Sequence, residues 1–271
     1  MTGLMKGKRG LVMGVANDHS IAWGIAKALA DQGAELAFTY QGEAFGRRVK
    51  PLADSVGSNM LIPCDVEDIA SVDAVFAKLK EEWGSIDFLV HAIGFSDKNE
   101  LKGLYADTSR ENFSRTMVIS CFSFTEITKR AAALMPDGGS IVTLTYGGST
   151  RVMPNYNVMG VAKAALESSV RYLAMDYGPQ NIRVNAISAG PVRTLAGAGV
   201  ADARLMFNYQ REHSPLQRTV TIDEVGGTGV YLLSDLSSGV TGEVHFVDSG
   251  YNIVSMPRLG ALKEQAKGTG E

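Results

Sequence analysis

The chain has 271 residues, 45% of them apolar and 20% charged, with a formal charge of −3. That length is one large globular domain or two small ones, and the mildly acidic balance argues against a general nucleic-acid binder. Two cysteines, Cys64 and Cys121, make no disulfide framework, and no apolar run approaches the length of a membrane span. The N-terminal MTGLMKGKRG leads into a short strand rather than a signal-peptide core, so a cytoplasmic protein is expected. Glycine is the outlier: 30 residues, without a G-x-y repeat, against an average near 7%.

In chain order, seven short apolar runs read as strands: Gly10–Val15, Leu36–Tyr40, Asn59–Pro63, Asp87–Ala92, Ser140–Thr145, Arg183–Ser188 and Val244–Val247. Most lack polar alternation, as strands covered on both faces do. Helical stripes lie between them. Ile21, Ile25 and Leu29 recur every four residues up to Gly33, and Ile69, Val72, Phe76, Leu79 and Trp83 run up to Gly84. Phe45, Val49, Leu52 and Val56 form another stripe, in which Pro51 marks a kink or a helix start. Longer helical patterns cover 109–134 and 157–177. Alternation of this kind predicts an α/β, doubly wound, Rossmann-like domain with a parallel seven-stranded sheet and helices on both faces. No linker interrupts residues 1–257, which are expected to form one domain. The polar, glycine-rich 258–271 is expected to be a mobile tail.

The turn after the first strand, Gly14 to Gly24, is where such a fold binds a dinucleotide pyrophosphate, on free amides at a helix N-terminus. The spacing is Gly14-x5-Ser20-x3-Gly24, not G-x-G-x-x-G. Gly14 allows a sharp turn beside the phosphates. Ser20 can cap the helix or donate to a phosphate, Ile21 supplies a backbone contact, and Gly24 lets the helix pack closely on the sheet. The second strand ends at Gln41, where an acidic residue would hold a ribose hydroxyl and an arginine a 2′-phosphate, so NADH is favoured over NADPH. Asp65 can bond an adenine amino group or cap a turn. His91 reads as a core histidine, and the four histidines form no cluster that suggests a metal site. Gly94 suits close approach of a cofactor.

Tyr156 and Lys163 are seven residues apart. Seven helical residues turn about 700°, which puts both on one face roughly 10 Å apart. A phenol donates well to a carbonyl oxygen that gains charge, and a nearby ammonium adds positive potential and donors for ribose hydroxyls. The alternative is a packing tyrosine and a solvated lysine. After the sixth strand, a Gly-Pro turn at Gly190-Pro191 could clamp a nicotinamide end.

Together these segments resemble the short-chain dehydrogenase/reductase superfamily up to about residue 257. More narrowly, the glycine turn with Ser20-Ile21, F-T-Y-Q, H-A-I-G-F, Tyr146, P-N-Y-N-V-M-G with Lys163, and N-A-I-S-A-G-P-V-R-T-L-A resemble the NADH-dependent enoyl-acyl-carrier-protein reductases of bacterial fatty-acid synthesis, the FabI type. The resemblance implies the strand order 3-2-1-4-5-6-7. It implies cofactor contacts from Gly14, Ser20, Ile21, Gln41, Asp65, Val66, Ile93, Gly94, Lys163, Val192, Arg193, Thr194, Leu195 and Ala196. It makes Tyr146, Tyr156 and Lys163 the catalytic residues and adds Ser96, Met159, Met206 and Phe207 as substrate contacts. Residues 196–209 would form a lid, an acyl carrier protein would deliver the enoyl chain, and the enzyme would be a cytoplasmic homotetramer. Hydride would pass from NADH to the β-carbon of the enoyl thioester, with the proton donor at the α-carbon left open. Two other readings remain: a 3-ketoacyl or other carbonyl reductase, and a dinucleotide-binding sensor without turnover. The first commonly carries Tyr-x3-Lys, whereas here Gly160 follows Tyr156 by four and Met159 precedes Lys163 by four. A sensor would often lack the Tyr or the Lys. The lid stretch offers Arg204 and Arg211 to an acidic carrier, but also Asp202 and Glu212.

Overall fold

The structure is a computed structural model describing residues 3–192, 194, 203–256 and 260. Its strands are β1 (Arg9–Met13), β2 (Glu35–Tyr40), β3 (Met60–Pro63), β4 (Phe88–His91), β5 (Gly139–Thr145), β6 (Ile182–Ala189) and β7 (Val244–Val247). They form one sheet in the order β3-β2-β1-β4-β5-β6-β7, every neighbouring pair parallel. All seven expected strands are present, with ends that differ by at most two residues.

Apolar residues on both faces of the strands produce two cores. Leu11, Met13, Leu89, Ile141 and Val184 point to one face. There they meet α3 (Ile69–Trp83), α5 (Ser123–Ala132) and α6 (Asn157–Tyr177). Val12, Phe38, Phe88, Val90, Val142 and Ile187 point to the other. They meet α1 (Ile21–Asp31), α2 (Gly42–Ser55) and α8 (Ile222–Leu233). Side chains of a strand alternate between faces, so a strand buried on both sides shows no polar period.

The position of α8 is unusual. The β5–β6 crossover runs through α6 on one face, and the β6–β7 crossover runs through α8 on the other. Both step the same way along the sheet, so the two crossovers have opposite hands, against the strong general preference for one hand. The chain between β6 and β7 is long enough to do this. It first passes the C-terminal edge of the sheet, where it forms α7 (Ala203–His213), and then descends to α8.

Glycines seat α8 on α1. A Cβ at Gly24 would lie 2.5 Å from the Ile222 carbonyl oxygen, one at Gly226 2.6 Å from the Gly24 carbonyl oxygen, and one at Gly229 2.8 Å from Ile25 Cγ2. Gly24 therefore serves helix–helix approach, not the helix–sheet packing its position suggests. Pro51 neither starts nor ends α2, which runs through it. Pro51 and Arg47 are both exposed, so the Arg47 carbonyl deprived of its helical partner faces water. The helical stretch 109–134 is α4 (Arg110–Met117) and α5 joined by a π-helical turn, Val118–Phe122. Among the described residues, no helix is long and apolar enough to cross a membrane.

Gly226→Ala is expected to lower stability by about 1–3 kcal/mol, because backbone rather than a flexible side chain must move. Gly227→Ala, whose Cβ would meet nothing within 4 Å, is expected to be neutral or to stabilise by up to about 1 kcal/mol. Urea unfolding of the two variants checks the contrast.

Candidate active site

Parallel strands place all their C-termini on one edge, and the strand order reverses between β1 and β4. A ligand crevice belongs at such a point. A cavity of about 430 Å³ lies there, walled by the chain leaving β4 (Ala92–Ser96), the end of β5 (Leu144–Tyr146), the chain leaving β6 (Ala189–Val192) and the start of α1 at Ile21.

Lys163 sits two turns into α6 and is 7% exposed. Its ammonium donates to the Leu144 carbonyl at 2.8 Å and lines the cavity. Burial lowers its pKa to about 8, with Cys121 and Glu167 pulling the other way. Glu167, one turn on, accepts from the Thr145 hydroxyl at 2.6 Å. Gly94 lies beside the ammonium: a Cβ there would stand 3.8 Å from Lys163 Nζ, an ordinary contact. His91 is fully buried between Thr143 (3.1 Å) and Ser123 (3.0 Å). Burial first, then the Lys163 charge, lowers its pKa to about 3, so it is a neutral core histidine.

Tyr156 stands at the N-cap of α6, one residue before the helix. It is flanked by Asn155 (φ 57°) and Asn157 (φ 33°), both with left-handed φ, which asparagine tolerates better than most residues. The helix thus begins later than the spacing argument assumes, yet Tyr156 and Lys163 still line one cavity. Two glycines make room for the phenol. A Cβ at Gly148 would lie 2.5 Å from the Tyr156 ring, and one at Gly160 2.8 Å from the Gly148 carbonyl oxygen. A lysine at 160, as Tyr-x3-Lys would require, has no space. Met159 takes the other position of that motif and reaches Ser120 Oγ with its sulfur at 3.7 Å.

Tyr146 meets Tyr156 edge to face, with ring centroids 5.2 Å apart. Burial pushes Tyr146 up to about 12, the hydrogen bond from Gln210 pulling against it. Tyr156 is raised further, by burial and then by its neighbours Tyr146 and Glu167. Both phenols are therefore neutral donors at ordinary pH.

The β4 loop is held by polar side chains that sequence reasoning does not single out. Ser120, in the π-helical turn, accepts from the Phe95 amide and donates to the Phe95 carbonyl, each at 2.9 Å. Ser96 lines the cavity, but its hydroxyl is tied to Asn112 and Thr116, the latter donating at 2.9 Å. Lys98 and Gln210 are further residues of the site that the motifs miss. Lys98 lines the cavity, and Gln210 donates to the Tyr146 hydroxyl at 3.1 Å.

Gly14 seats the turn against the chain leaving β4. Gly14 has φ 99°, and a Cβ there would lie 2.1 Å from the Ala92 carbonyl oxygen. Ser20 does not cap α1: its Oγ accepts from the amides of Ala16 (3.0 Å) and Asn17 (3.1 Å). The hydroxyl therefore shapes the turn, and the first amides of α1 keep no side-chain cap.

Gln41 and Asp65 meet each other, Nε2 to Oδ2 at 3.0 Å, and Asp65 also caps its own turn through the Glu67 amide at 3.0 Å. Val66 is 8% exposed and packs in the core with Cys64 and Val72. None of Gly14, Ser20, Gln41, Asp65 and Val66 lines the cavity, whereas Ile21, Ile93, Gly94, Val192 and Thr194 do. Gly190 also lines it, but a Cβ there would lie 2.9 Å from Asp248 Cα, so its bareness serves packing. Met206 and Phe207 reach the cavity from α7. Arg193, Leu195 and Ala196 lie outside the described residues, as do 197–202 of the expected lid and the 258–271 tail apart from Gly260.

Comparison with known proteins agrees with this geometry. The family model described as Enoyl-(Acyl carrier protein) reductase matches residues 14–252. The chain is 76% identical over 263 residues to enoyl-[acyl-carrier-protein] reductase [NADH] 2 of Rhizobium meliloti, covering 97% of this chain and 98% of that one. It superposes on the crystal structure of FabI from Candidatus Liberibacter asiaticus with a TM-score of 0.93 at 63% identity, covering 95% and 100% of the two chains. The corresponding enzyme of Anaplasma phagocytophilum, solved in complex with NAD, gives 0.92 at 58% identity, covering 96% and 99%. Matched from its first glycine turn to its last strand, the chain belongs to the enoyl-(acyl carrier protein) reductase family.

Proposed function

We propose that the protein is an NADH-dependent enoyl-acyl-carrier-protein reductase of bacterial type II fatty-acid synthesis, saturating the C2=C3 bond of trans-2-enoyl thioesters. The observation that carries this reading is the convergence of a buried ammonium, Lys163, and two neutral phenols, Tyr146 and Tyr156, on one cavity. The absence of space at Gly160 speaks against the Tyr-x3-Lys arrangement of carbonyl reductases.

The residues fit a dinucleotide. Gly14 and the uncapped amides of α1 offer a phosphate cradle, with Ser20 fixing the turn and Ile21 lending its backbone. Gln41, Asp65 and Val66 lie at the adenosine end, and a carboxylate beside Gln41 repels a 2′-phosphate. Ile93, Gly94, Val192 and Thr194, which line the cavity, face the nicotinamide end, and Arg193, Leu195 and Ala196 are assigned to it by resemblance alone. Bound NADH supplies a hydride to the β-carbon of the substrate. Lys163 has donors left beyond Leu144 for ribose hydroxyls and so orients the cofactor. Tyr156 donates to the thioester oxygen as it gains negative charge, a preorganised contact worth about 10²–10³ in rate. Tyr146 orients the thioester, and Ser96, Met159, Met206 and Phe207 line the path of the acyl chain. The protein is read as a cytoplasmic homotetramer with one domain over 1–257 and a lid at 196–209. An acidic carrier protein would dock near Arg204 and Arg211, although Arg211 also lies 3.7 Å from Glu212.

Oxidation of NADH with crotonyl and acetoacetyl thioesters tests the reading directly: turnover of the first and not the second is expected. Tyr156→Phe should lower kcat about 10²-fold with the affinity for NADH near normal. Lys163→Ala should lose cofactor binding and turnover together, and normal turnover in both variants would sink the assignment. Because the Lys163 ammonium loses its proton near pH 8, kcat/KM for NADH should fall as the pH rises through about 8. A profile flat from pH 7 to 9.5 would contradict the role given to Lys163. NADH should also be preferred to NADPH by at least about tenfold in kcat/KM, the preference expected from Gln41 beside Asp65.

A further inference from the structure

Tyr146 stands between two spaces. On one side is the large cavity. On the other is a chamber of about 30 Å³, also lined by Arg151, Gln210, Asp248 and Tyr251. That is room for about one water molecule. Gln210 comes from α7, is 5% exposed, and lines the small chamber but not the large cavity. Its Nε2 donates to Tyr146 Oη at 3.1 Å, while its Oε1 is buried with no partner among the described residues. A water in the chamber would satisfy that oxygen.

The consequence lies in the proton count. A phenol oxygen holds one proton and can accept another. With an amide N–H filling its acceptor side from the chamber, Tyr146 is left to donate its own proton, and among the described residues no acceptor takes it. We propose that Gln210 is a positioning residue that commits the Tyr146 hydroxyl to donating into the cavity, toward the thioester. That acceptor rests on the enoyl-reductase reading; the orientation of Tyr146 rests on Gln210. No sequence motif marks Gln210, because its partner lies 64 residues away on another element.

Two near-isosteric substitutions separate donation from packing. In Gln210→Met the donor is lost and the volume kept, so kcat should fall about three- to tenfold, with KM for NADH within twofold of wild type. In Gln210→Glu an ionised carboxylate can only accept, so it draws the Tyr146 O–H into a hydrogen bond away from the cavity. Its kcat should lie below that of Gln210→Met at pH 8 and recover as the pH falls and the carboxyl regains a proton. The titratable groups facing that position are Tyr146, Arg151, Asp248 and Tyr251, with Tyr209 and His213 on the same helix. Neither substitution should lower kcat further in a Tyr146→Phe background. Wild-type kcat in both variants from pH 5.5 to 8.5, or equal losses with and without the Tyr146 hydroxyl, would overturn the proposal. Should the glutamate variant fail to fold, the methionine variant alone and combined with Tyr146→Phe decides the matter. A wild-type enzyme inactive on crotonyl thioester would instead overturn the functional reading, and the role of Gln210 with it.

Discussion

Lys163 carries an ammonium to the C-terminal end of β5, where it is 7% exposed and donates to the Leu144 carbonyl at 2.8 Å. Taking a charge out of water costs several kcal/mol unless partners replace the lost hydration. That carbonyl replaces only part of it, and the amine stands at the cavity wall. Much of the surrounding structure makes this tolerable. Glu167 lies one turn along α6 with its carboxylate held by Thr145. His91 is kept neutral between two hydroxyls, so no second cation competes for the same space.

The placement of Tyr156 follows from that of Lys163. A lysine fixed two turns into α6 needs its phenol partner near the helix start, and there the chain departs from helical geometry. Two left-handed asparagines bracket Tyr156. Two glycines, Gly148 and Gly160, admit its ring between the turn after β5 and the first turn of α6. The longer Tyr-to-Lys spacing is therefore a packing solution as well as a chemical one. The bare backbone at 160 that accommodates Gly148 is also what prevents a lysine from standing there.

The strands and most helices are legible in the sequence because burial on both faces leaves apolar runs, and helices leave stripes every three to four residues. The Tyr156/Lys163 pair is legible because both residues belong to one helix start. Contacts between distant elements are not. Gly24 looks like a helix–sheet contact until α8 is placed against α1, and its partners Ile222 and Gly226 lie two hundred residues on. Asp65 resembles a cofactor ligand, yet its carboxylate also caps its own turn and meets Gln41. Ser20 looks like a helix cap, but its hydroxyl accepts from the turn behind it. Gln210 has no local signal at all. Pro51 misleads for a different reason: a rule about helix interiors weakens where the orphaned carbonyl faces water.

The reversed hand of the last crossover connects these observations. A crossover of the usual hand would have kept the chain between β6 and β7 on the α6 face, next to a core already filled by α3, α5 and α6. On its way to the α1 face the connection also carries α7 at the C-terminal edge of the sheet. Met206 and Phe207 then face the cavity, and Gln210 reaches Tyr146 from behind. The close contact of α8 with α1 anchors the far end of that connection. The tight glycine approach on one face of the sheet and the orientation of a tyrosine at its edge are thus two ends of one connection.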